Sequence, residues 1–160
     1  MLARAAAALL VAAPLLAATA PAVYADTSAI PPAETLSRDE LVLVTASGVH
    51  RFTIEIADDP IERARGLMFR ESMARNHGML FDFGREGERS FWMRNTPLPL
   101  DIIYIAEDGT VVSMVRGEPF NETPLPSNGP ARFVFEVNAG VAEEIGLEPG
   151  DRLIHRRVPQ

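Results

Sequence analysis

The chain has 160 residues and no cysteine, and its 22 acidic residues outnumber 15 basic residues, all of them arginine. The resulting net charge of −7 argues against nonspecific binding to nucleic acid or to an anionic membrane surface. The lack of cysteine excludes disulfides, thiolate metal sites and cysteine nucleophiles.

Residues 1–25 predict a cleavable secretory signal peptide. Arg4 supplies a positive charge, and an alanine- and leucine-rich apolar stretch follows it at residues 5–20. The small residues Val23 and Ala25 place the cleavage site before Asp26. A retained membrane anchor is the alternative, but the apolar stretch is shorter than the roughly 20 residues that a spanning helix needs. We therefore expect an exported protein, periplasmic or secreted, without stable membrane insertion after cleavage.

The rest of the chain predicts a flexible leader and one globular domain. Residues 26–40 are rich in Pro, Ala, Thr and Ser and have no periodic apolar pattern. Residues 41–160 are enough for one hydrophobic core and too few for two. The domain begins with two apolar runs, Leu41–Thr45 and Val49–Ala57, joined across Ser47 and Gly48 as in a β-hairpin.

Short strands and two small helices are predicted further along the domain. Asp59 and Pro60 are typical of a helix start, for a helix to about Met68, and a second helix is expected from residue 138 or 139 to about Ile145. Residues 117–130, with four prolines, predict a loop. The fold class is therefore α+β, mainly β, with a small curved or barrel-like antiparallel sheet and two short helices. The further strands are predicted at Ser90–Arg94, Asp101–Ala106, Thr110–Val115, Ala131–Val137 and Arg152–His155.

Six short motifs follow one another between Arg65 and Asp151: G-L-M-x-R, G-M-L-F, F-W-M-x-N-T, P-L-D, E-V-N-A-G and G-D. Taken together they resemble the domain of unknown function 192 (DUF192) family over roughly Leu41–Ile154. The resemblance implies a compact β-rich fold, frequent export in bacteria and no established biochemical role. Many family members carry cysteines in the proline-rich loop, which this chain lacks, so an activity that depends on them is not expected here.

Three methionines in a short segment could form a soft-metal site. Met68, Met79 and Met93 each lie beside a large apolar or aromatic residue. If their thioethers converge, they would suit Cu(I). The alternative is that each methionine fills an irregular gap in the core, which is the usual role of this residue. No cofactor is predicted, and Cu(I) binding is a secondary hypothesis.

The polar residues between Trp92 and a proline-rich bend indicate a small-ligand pocket. Trp92 could stack on a sugar or another flat ligand face, and Asp101 could accept hydrogen bonds or act as a base. The alternative is that these polar side chains close the bend by bonding to the backbone. The predicted ligand-binding residues are Arg70, Trp92, Arg94, Asn95, Thr96 and Asp101.

Arg70 could clamp an anion or form an internal ion pair that holds the first helix on the sheet. Its most plausible internal partners are Asp101, Glu136 and Asp151. Glu136 lies in a predicted strand, on the same face as Val134.

The three histidines have none of the spacings typical of zinc or hydrolase sites. His77, between Asn76 and Gly78, is expected to be an exposed turn residue. His50 and His155 are expected in strands.

The sequence is consistent with three functions. The first is a noncatalytic ligand-binding or accessory protein of the cell envelope, whose partner is a small ligand or an envelope component and not nucleic acid. The second is a methionine-based Cu(I)-binding protein. The third is a hydrolase or lyase that uses Asp101 with Glu136 or Arg70.

Overall fold

The structure is a computed structural model that describes residues 30–31, 36 and 39–159. The predicted signal peptide and most of the predicted leader lie outside these residues. Leu36, which lies in the predicted flexible leader, is buried against Val42, Val44 and Ile154. At this position the leader therefore packs on the domain. None of the helices in the described ranges is long and apolar enough to cross a membrane.

The described residues form nine strands and two short helices, which confirms the predicted α+β, mainly β class. Both helices are shorter than predicted, and two strands, β3 and β7, were not predicted. The elements in chain order are β1 (Glu40–Thr45), β2 (Gly48–Ala57), α1 (Pro60–Arg65), β3 (His77–Asp82), β4 (Glu88–Phe91), β5 (Leu100–Ile105), β6 (Val111–Gly117), β7 (Leu125–Pro130), β8 (Phe133–Asn138), α2 (Val141–Glu144) and β9 (Arg152–Ile154).

Seven of these strands form one curled sheet in the order β6-β5-β8-β3-β2-β1-β9. The sheet is antiparallel except for β2 and β3, which are parallel because the crossover that contains α1 returns the chain to the same end of the sheet. The two edges of the sheet approach each other. Thr110 forms a bridge to Arg152, and the backbone N–H of Val111 donates to the carbonyl of Asp151 at 2.8 Å. These contacts give the sheet its barrel-like shape.

The segment predicted as a proline-rich loop contains β7, which corrects that prediction. Strand β7 pairs with β4 in a separate two-stranded sheet, with Pro126 opposite Ser90 and Pro130 opposite Glu88. Proline lacks the N–H that a central strand needs, but a strand at the edge of a sheet tolerates it. Strand β4 ends at Phe91, so Trp92 lies beyond its end and not inside a strand.

Strand β8 lies inside the large sheet, between β5 and β3, and both of its faces are buried. Phe133, Phe135 and Val137 belong to the core on one face, which also covers α2. Val134 belongs to the core on the other face, where Leu67, just after α1, and Phe91 of β4 also pack. Side chains alternate along a strand, so Glu136 points to the same face as Val134.

Gly78 allows β3 and β8 to approach closely. A Cβ atom added at Gly78 would clash with the backbone oxygen of Glu136 and lie 2.5 Å from the ring of Phe135. Neither neighbour can move without disturbing the central strand. The glycine is therefore a packing requirement of the site that Glu136 occupies.

We predict that Gly78→Ala lowers the free energy of unfolding by about 3 kcal/mol, because the added methyl group overpacks a central strand pair. Urea denaturation measures this change. Gly87→Ala is the matched control, since its added Cβ would meet only the flexible guanidinium of Arg89, at 3.5 Å. The control should change stability by less than about 1 kcal/mol. Equal effects of the two substitutions would contradict the close approach of β3 and β8.

Candidate functional site

A cleft of about 270 Å³ opens between the end of α1, the end of β4 and one face of the large sheet. We call it the Glu136 cleft, because this residue forms its floor. Its volume suits a single small ligand. The residues that line it are Arg63, Ala64, Arg65, Gly66, Leu67, Met68, Phe81, Phe83, Ser90, Phe91, Trp92, Thr96 and Glu136.

Glu136 is a buried carboxyl group without a partner. The residue is 4% exposed, and within residues 39–159 its side chain makes no hydrogen bond and no ion pair. Burial in apolar surroundings disfavours the charged form and raises the pKa of Glu136 from 4.5 to about 8. The group is therefore mainly protonated at neutral pH. A carboxyl group with a strongly raised pKa in a cleft is a typical feature of functional sites.

Gly66 leaves the space above Glu136. It ends helix α1 with a positive φ of 46°, a backbone conformation that favours glycine. A Cβ atom at this position would lie 3.1 Å from the ring of Phe81 and 3.9 Å from Oε2 of Glu136. The helix itself is held by Asp59, whose Oδ1 accepts the backbone N–H groups of Ile61 and Glu62 at 2.7 and 2.9 Å. A side chain at Gly66 would close the cleft over the carboxyl group.

Aromatic rings form the walls of the cleft and fix one another. The Phe91 ring meets the rings of Phe81, Phe83 and Tyr104 edge to face, with centroid distances of 5.0, 6.3 and 6.1 Å. The Tyr104 hydroxyl donates to the carbonyl of Leu125 and so ties β5 to β7. Burial, with the nearby Glu136, raises the pKa of Tyr104 well above its ordinary value. The walls are therefore packed and neutral.

Trp92 and Thr96, which the sequence analysis proposed as ligand-binding residues, both line the cleft, Trp92 with an exposed side chain and Thr96 with a buried one. Trp92 is 48% exposed, and the guanidinium of Arg94 lies over its ring at 5.6 Å. The hydroxyl of Thr96 donates to the carbonyl of Arg94 at 3.1 Å. At least this polar side chain therefore closes the bend by bonding to the backbone. Asn95 has a left-handed backbone, at a φ of 55°, and its carbonyl accepts the N–H of Phe69. Arg94 and Asn95 adjoin the cleft without lining it.

Asp101 does not line the Glu136 cleft; it lines a separate cavity with Arg116 and Ala142, and its role as a ligand-binding or catalytic residue stays a prediction. It lies opposite Val137 in the β5–β8 register, whereas Glu136 lies opposite Ile102, so the two carboxyl groups point to opposite faces of the sheet. Its Oδ2 accepts the N–H of Ala142 at 2.9 Å, and its Oδ1 accepts from Arg116 at 3.1 Å. Asp101 thus holds α2 on the sheet. The predicted catalytic pair of Asp101 and Glu136 is not formed.

Arg70 pairs with Glu55, and not with any of the three predicted partners. Its two terminal nitrogens donate to the two oxygens of Glu55 at 2.5 and 2.9 Å. The hydrogen bond from Arg70, and a second from His77, lower the pKa of Glu55 to about 2. Asp151 instead accepts the N–H of Glu148 in a turn. The pair with Glu55 uses two of the five N–H donors of Arg70 and places its charge in an internal ion pair, so ligand binding by Arg70 stays a prediction.

His77 is not the exposed turn residue that was predicted. It begins β3, its side chain is 24% exposed, and its Nε2 lies 2.9 Å from Oε1 of Glu55. His50 lies in β2 as predicted, and His155 directly follows β9.

The three methionines are distributed over different environments. Met68 and Met79 line a second cavity of about 440 Å³, next to the Arg70–Glu55 pair. Met93 lines neither cavity; its sulfur packs on Gly117, and the residue is 1% exposed. The described part of the chain contains no cluster of three His, Asp or Glu residues that could hold a metal ion. Cu(I) binding stays a prediction.

The sequence prediction missed the aromatic walls and the role of Gly66. Phe81 and Phe83 lie in and after β3, a strand that was not predicted, so their common face was not recognised. A usable signal was present in the Phe133–Val137 run, where Glu136 is flanked by apolar residues on both sides. A run of this kind is typical of a strand that is buried on both faces.

Comparisons with known proteins identify relatives over most of the domain. The model of a family named DUF192, described as "Uncharacterized ACR", matches residues 42–155. A crystal structure from Sinorhizobium meliloti 1021, provisionally assigned as a transcription regulator, is 46% identical, with a TM-score of 0.69. The match covers 71% of this chain and 90% of that one.

A second crystal structure, of a protein of unknown function from Novosphingobium aromaticivorans DSM 12444, is 40% identical, with a TM-score of 0.69. It covers 71% of this chain and 82% of that one. No match was found among curated proteins. These relatives support the fold and supply no activity.

We predict that Glu136 makes the stability of the fold depend on pH. Between the ordinary pKa of 4.5 and the folded pKa of about 8, the folded state keeps a proton that the unfolded chain releases. The contribution of Glu136 to the free energy of unfolding should therefore fall by about 1.4 kcal/mol per pH unit across this window, with no further fall above it. Glu136→Gln should remove this slope in urea denaturation at several pH values.

Glu55→Gln is the control for this measurement. The pKa of Glu55 is lowered, so its contribution is present above 4.5 and is lost as the pH falls towards about 2. Its substitution should leave the slope between about pH 5 and 8 unchanged. Parallel profiles for the wild-type protein and Glu136→Gln would contradict the burial of an unpaired carboxyl group.

Proposed function

Since the chain belongs to the DUF192 family, which carries no assigned activity, we propose a function from the Glu136 cleft itself. The protein binds a small ligand in this cleft and acts as a noncatalytic binding or accessory protein of the cell envelope. The observation that carries the proposal is the unpaired, buried carboxyl group of Glu136 at the floor of an aromatic cleft.

Burying the carboxyl group of Glu136 without a partner costs free energy. A buried polar group without a hydrogen bond costs on the order of 1–3 kcal/mol, and a charged one costs more. An apolar residue of similar size would avoid this cost. A ligand that bonds to the carboxyl group would recover part of it. The carboxyl group is thus poorly suited to stabilising the fold and well suited to recognising a ligand.

The cleft lining favours binding over catalysis. Glu136 is the one carboxyl group among the residues that line it, and these residues include no histidine, cysteine or lysine. Acid–base catalysis usually needs two titratable groups with separated pKa values, as in the paired carboxylates of many hydrolases. The two arginines that line the cleft stay charged in the working pH range and transfer no protons.

The cell-envelope location rests on the predicted signal peptide, and the net charge agrees with a role away from nucleic acid. A net charge of −7 opposes the nonspecific phosphate contacts on which DNA binding depends. We therefore do not extend the provisional assignment of the Sinorhizobium protein to this chain.

Trp92 provides a direct test, because it is the one tryptophan of the chain and stands at the cleft mouth. We predict that at least one class in a panel of saccharides, short peptides and small organic ions changes Trp92 fluorescence in a saturable way. Ala64→Phe should weaken that binding about tenfold or more, because Ala64 is exposed and its enlarged side chain would fill the cleft.

Ala74→Phe is the matched control, since Ala74 is also exposed but does not line the cleft. It should bind like the wild-type protein. Binding that survives Ala64→Phe would place the ligand elsewhere, and a panel without any ligand at about 10 mM would refute the proposal.

A further inference from the structure

The lining of the Glu136 cleft specifies the chemistry of its ligand. Resting on the proposed function, we propose that the ligand inserts an organic ammonium group against Glu136, places an apolar body between the aromatic walls, and has an outer end that is not cationic. The ligand class is thus a monoammonium or zwitterionic small molecule.

The floor of the cleft requires a hydrogen-bond donor. An ionised carboxyl group only accepts hydrogen bonds, and no described side chain or backbone group donates to Glu136. An ammonium group brings three donors and an opposite charge to the same point. An ammonium group therefore supplies both the hydrogen-bond donors and the counter-charge that the described residues do not provide to Glu136.

The walls favour a cation as well. The negative face of an aromatic ring attracts a cation within about 6 Å. The ring of Phe83 already forms cation–π contacts. The guanidinium carbons of Arg63 and Arg89 lie 5.3 and 4.3 Å from its centroid. Phe81 and Phe91 line the cleft beside Glu136 and carry no such cation. Phe91 is partly exposed and can contact an ammonium group and the hydrocarbon attached to it, whereas Phe81 is 1% exposed.

Other ligand classes fit the lining less well. A saccharide needs several polar partners, whereas among the described residues only Ser90 and Thr96 bring hydroxyl groups to the cleft lining. The hydroxyl of Thr96 donates to a carbonyl of its own bend. A carboxylate would face Glu136 as a like charge once that residue ionises. A neutral alcohol would use the apolar walls but would leave the charged form of Glu136 without a counter-charge.

The charged residues that line the cleft restrict the charge that the outer end of the ligand can carry. Arg63 and Arg65 line the cleft. Arg63 donates to the backbone carbonyls of Asp58 and Asp82 at 2.5 and 2.9 Å, while Arg65 forms no ion pair within the described part of the chain. A second ammonium group would be repelled by these charges, whereas a neutral or anionic group would not.

Glu136 is the group around the cleft that titrates between about pH 6 and 9. The arginines remain charged, and the buried hydroxyl of Tyr104, bonded to the carbonyl of Leu125, has a raised pKa and remains neutral. An alkylammonium group keeps its charge in this range, as lysine does. Ammonium binding requires the ionised form of Glu136, so binding releases a proton below the pKa of this residue.

The experiment measures Trp92 fluorescence with four six-carbon probes: hexylammonium, hexanoate, 1-hexanol and 1,6-hexanediammonium. We expect hexylammonium to bind about tenfold more tightly at pH 7 than at pH 6, and the affinity to level off above about pH 8, because each pH unit below the pKa changes the ionised fraction about tenfold. Glu136→Gln should lower the affinity about tenfold or more at pH 8 and remove the pH dependence. The diammonium probe should bind more weakly than hexylammonium, and Arg65→Gln should reduce that difference.

Three results would overturn the ammonium assignment while the proposed function stands. The first is tighter binding of hexanoate or 1-hexanol than of hexylammonium at pH 8, where Ala64→Phe abolishes that binding. The second is hexylammonium binding that is independent of pH or weakens as the pH rises to 8. The third is a lack of hexylammonium binding up to about 50 mM. Hexylammonium binding that Ala64→Phe leaves unchanged lies outside the cleft and counts against both proposals.

Discussion

The structure depends on the burial of strand β8 on both faces. Between β5 and β3, this strand has no solvent-facing side, so every side chain from Phe133 to Val137 must enter apolar surroundings. Four of these five side chains are apolar, and the fifth is Glu136. The position of the site follows from this constraint: Gly78 permits the close approach of β3, and Gly66 leaves space above the carboxyl group.

Other acidic side chains of the domain show how a carboxyl group is normally accommodated. Asp101 accepts from Arg116 and from the backbone of α2, and Glu55 accepts from Arg70 and His77. Every side-chain oxygen or nitrogen that is sealed from solvent in the described residues has a hydrogen-bond partner. Glu136 differs because it has no partner and is reached through the cleft. Burial disfavours the ionised form of Glu136 and so weakens the fold at alkaline pH. The same burial favours a ligand that donates hydrogen bonds to the carboxyl group.

Sequence patterns predicted the fold class, the first hairpin and most strands to within two residues, because alternation between polar and apolar side chains follows the period of a strand. They failed at β7, where prolines occupy an edge strand, and at β3. They placed Trp92 and Thr96 in a candidate pocket, and both residues line the Glu136 cleft. The sequence patterns also placed Asp101 in the candidate pocket. The distance along the chain from Trp92 to Asp101 does not show which face of β5 Asp101 occupies. Arg70 lies in the segment between α1 and β3 and reaches back to Glu55 on β2, and a tertiary contact of this kind leaves no local pattern.

The most direct test of this account is the titration of Glu136 itself. The carbon-13 NMR signal of its side-chain carboxyl group, assigned by comparison with Glu136→Gln, reports protonation in the ligand-free protein without reference to stability or binding. Burial without a partner predicts a midpoint at a pKa of about 8. A midpoint near the ordinary pKa of 4.5 would show that the carboxyl group is solvated or paired, and would contradict the central claim.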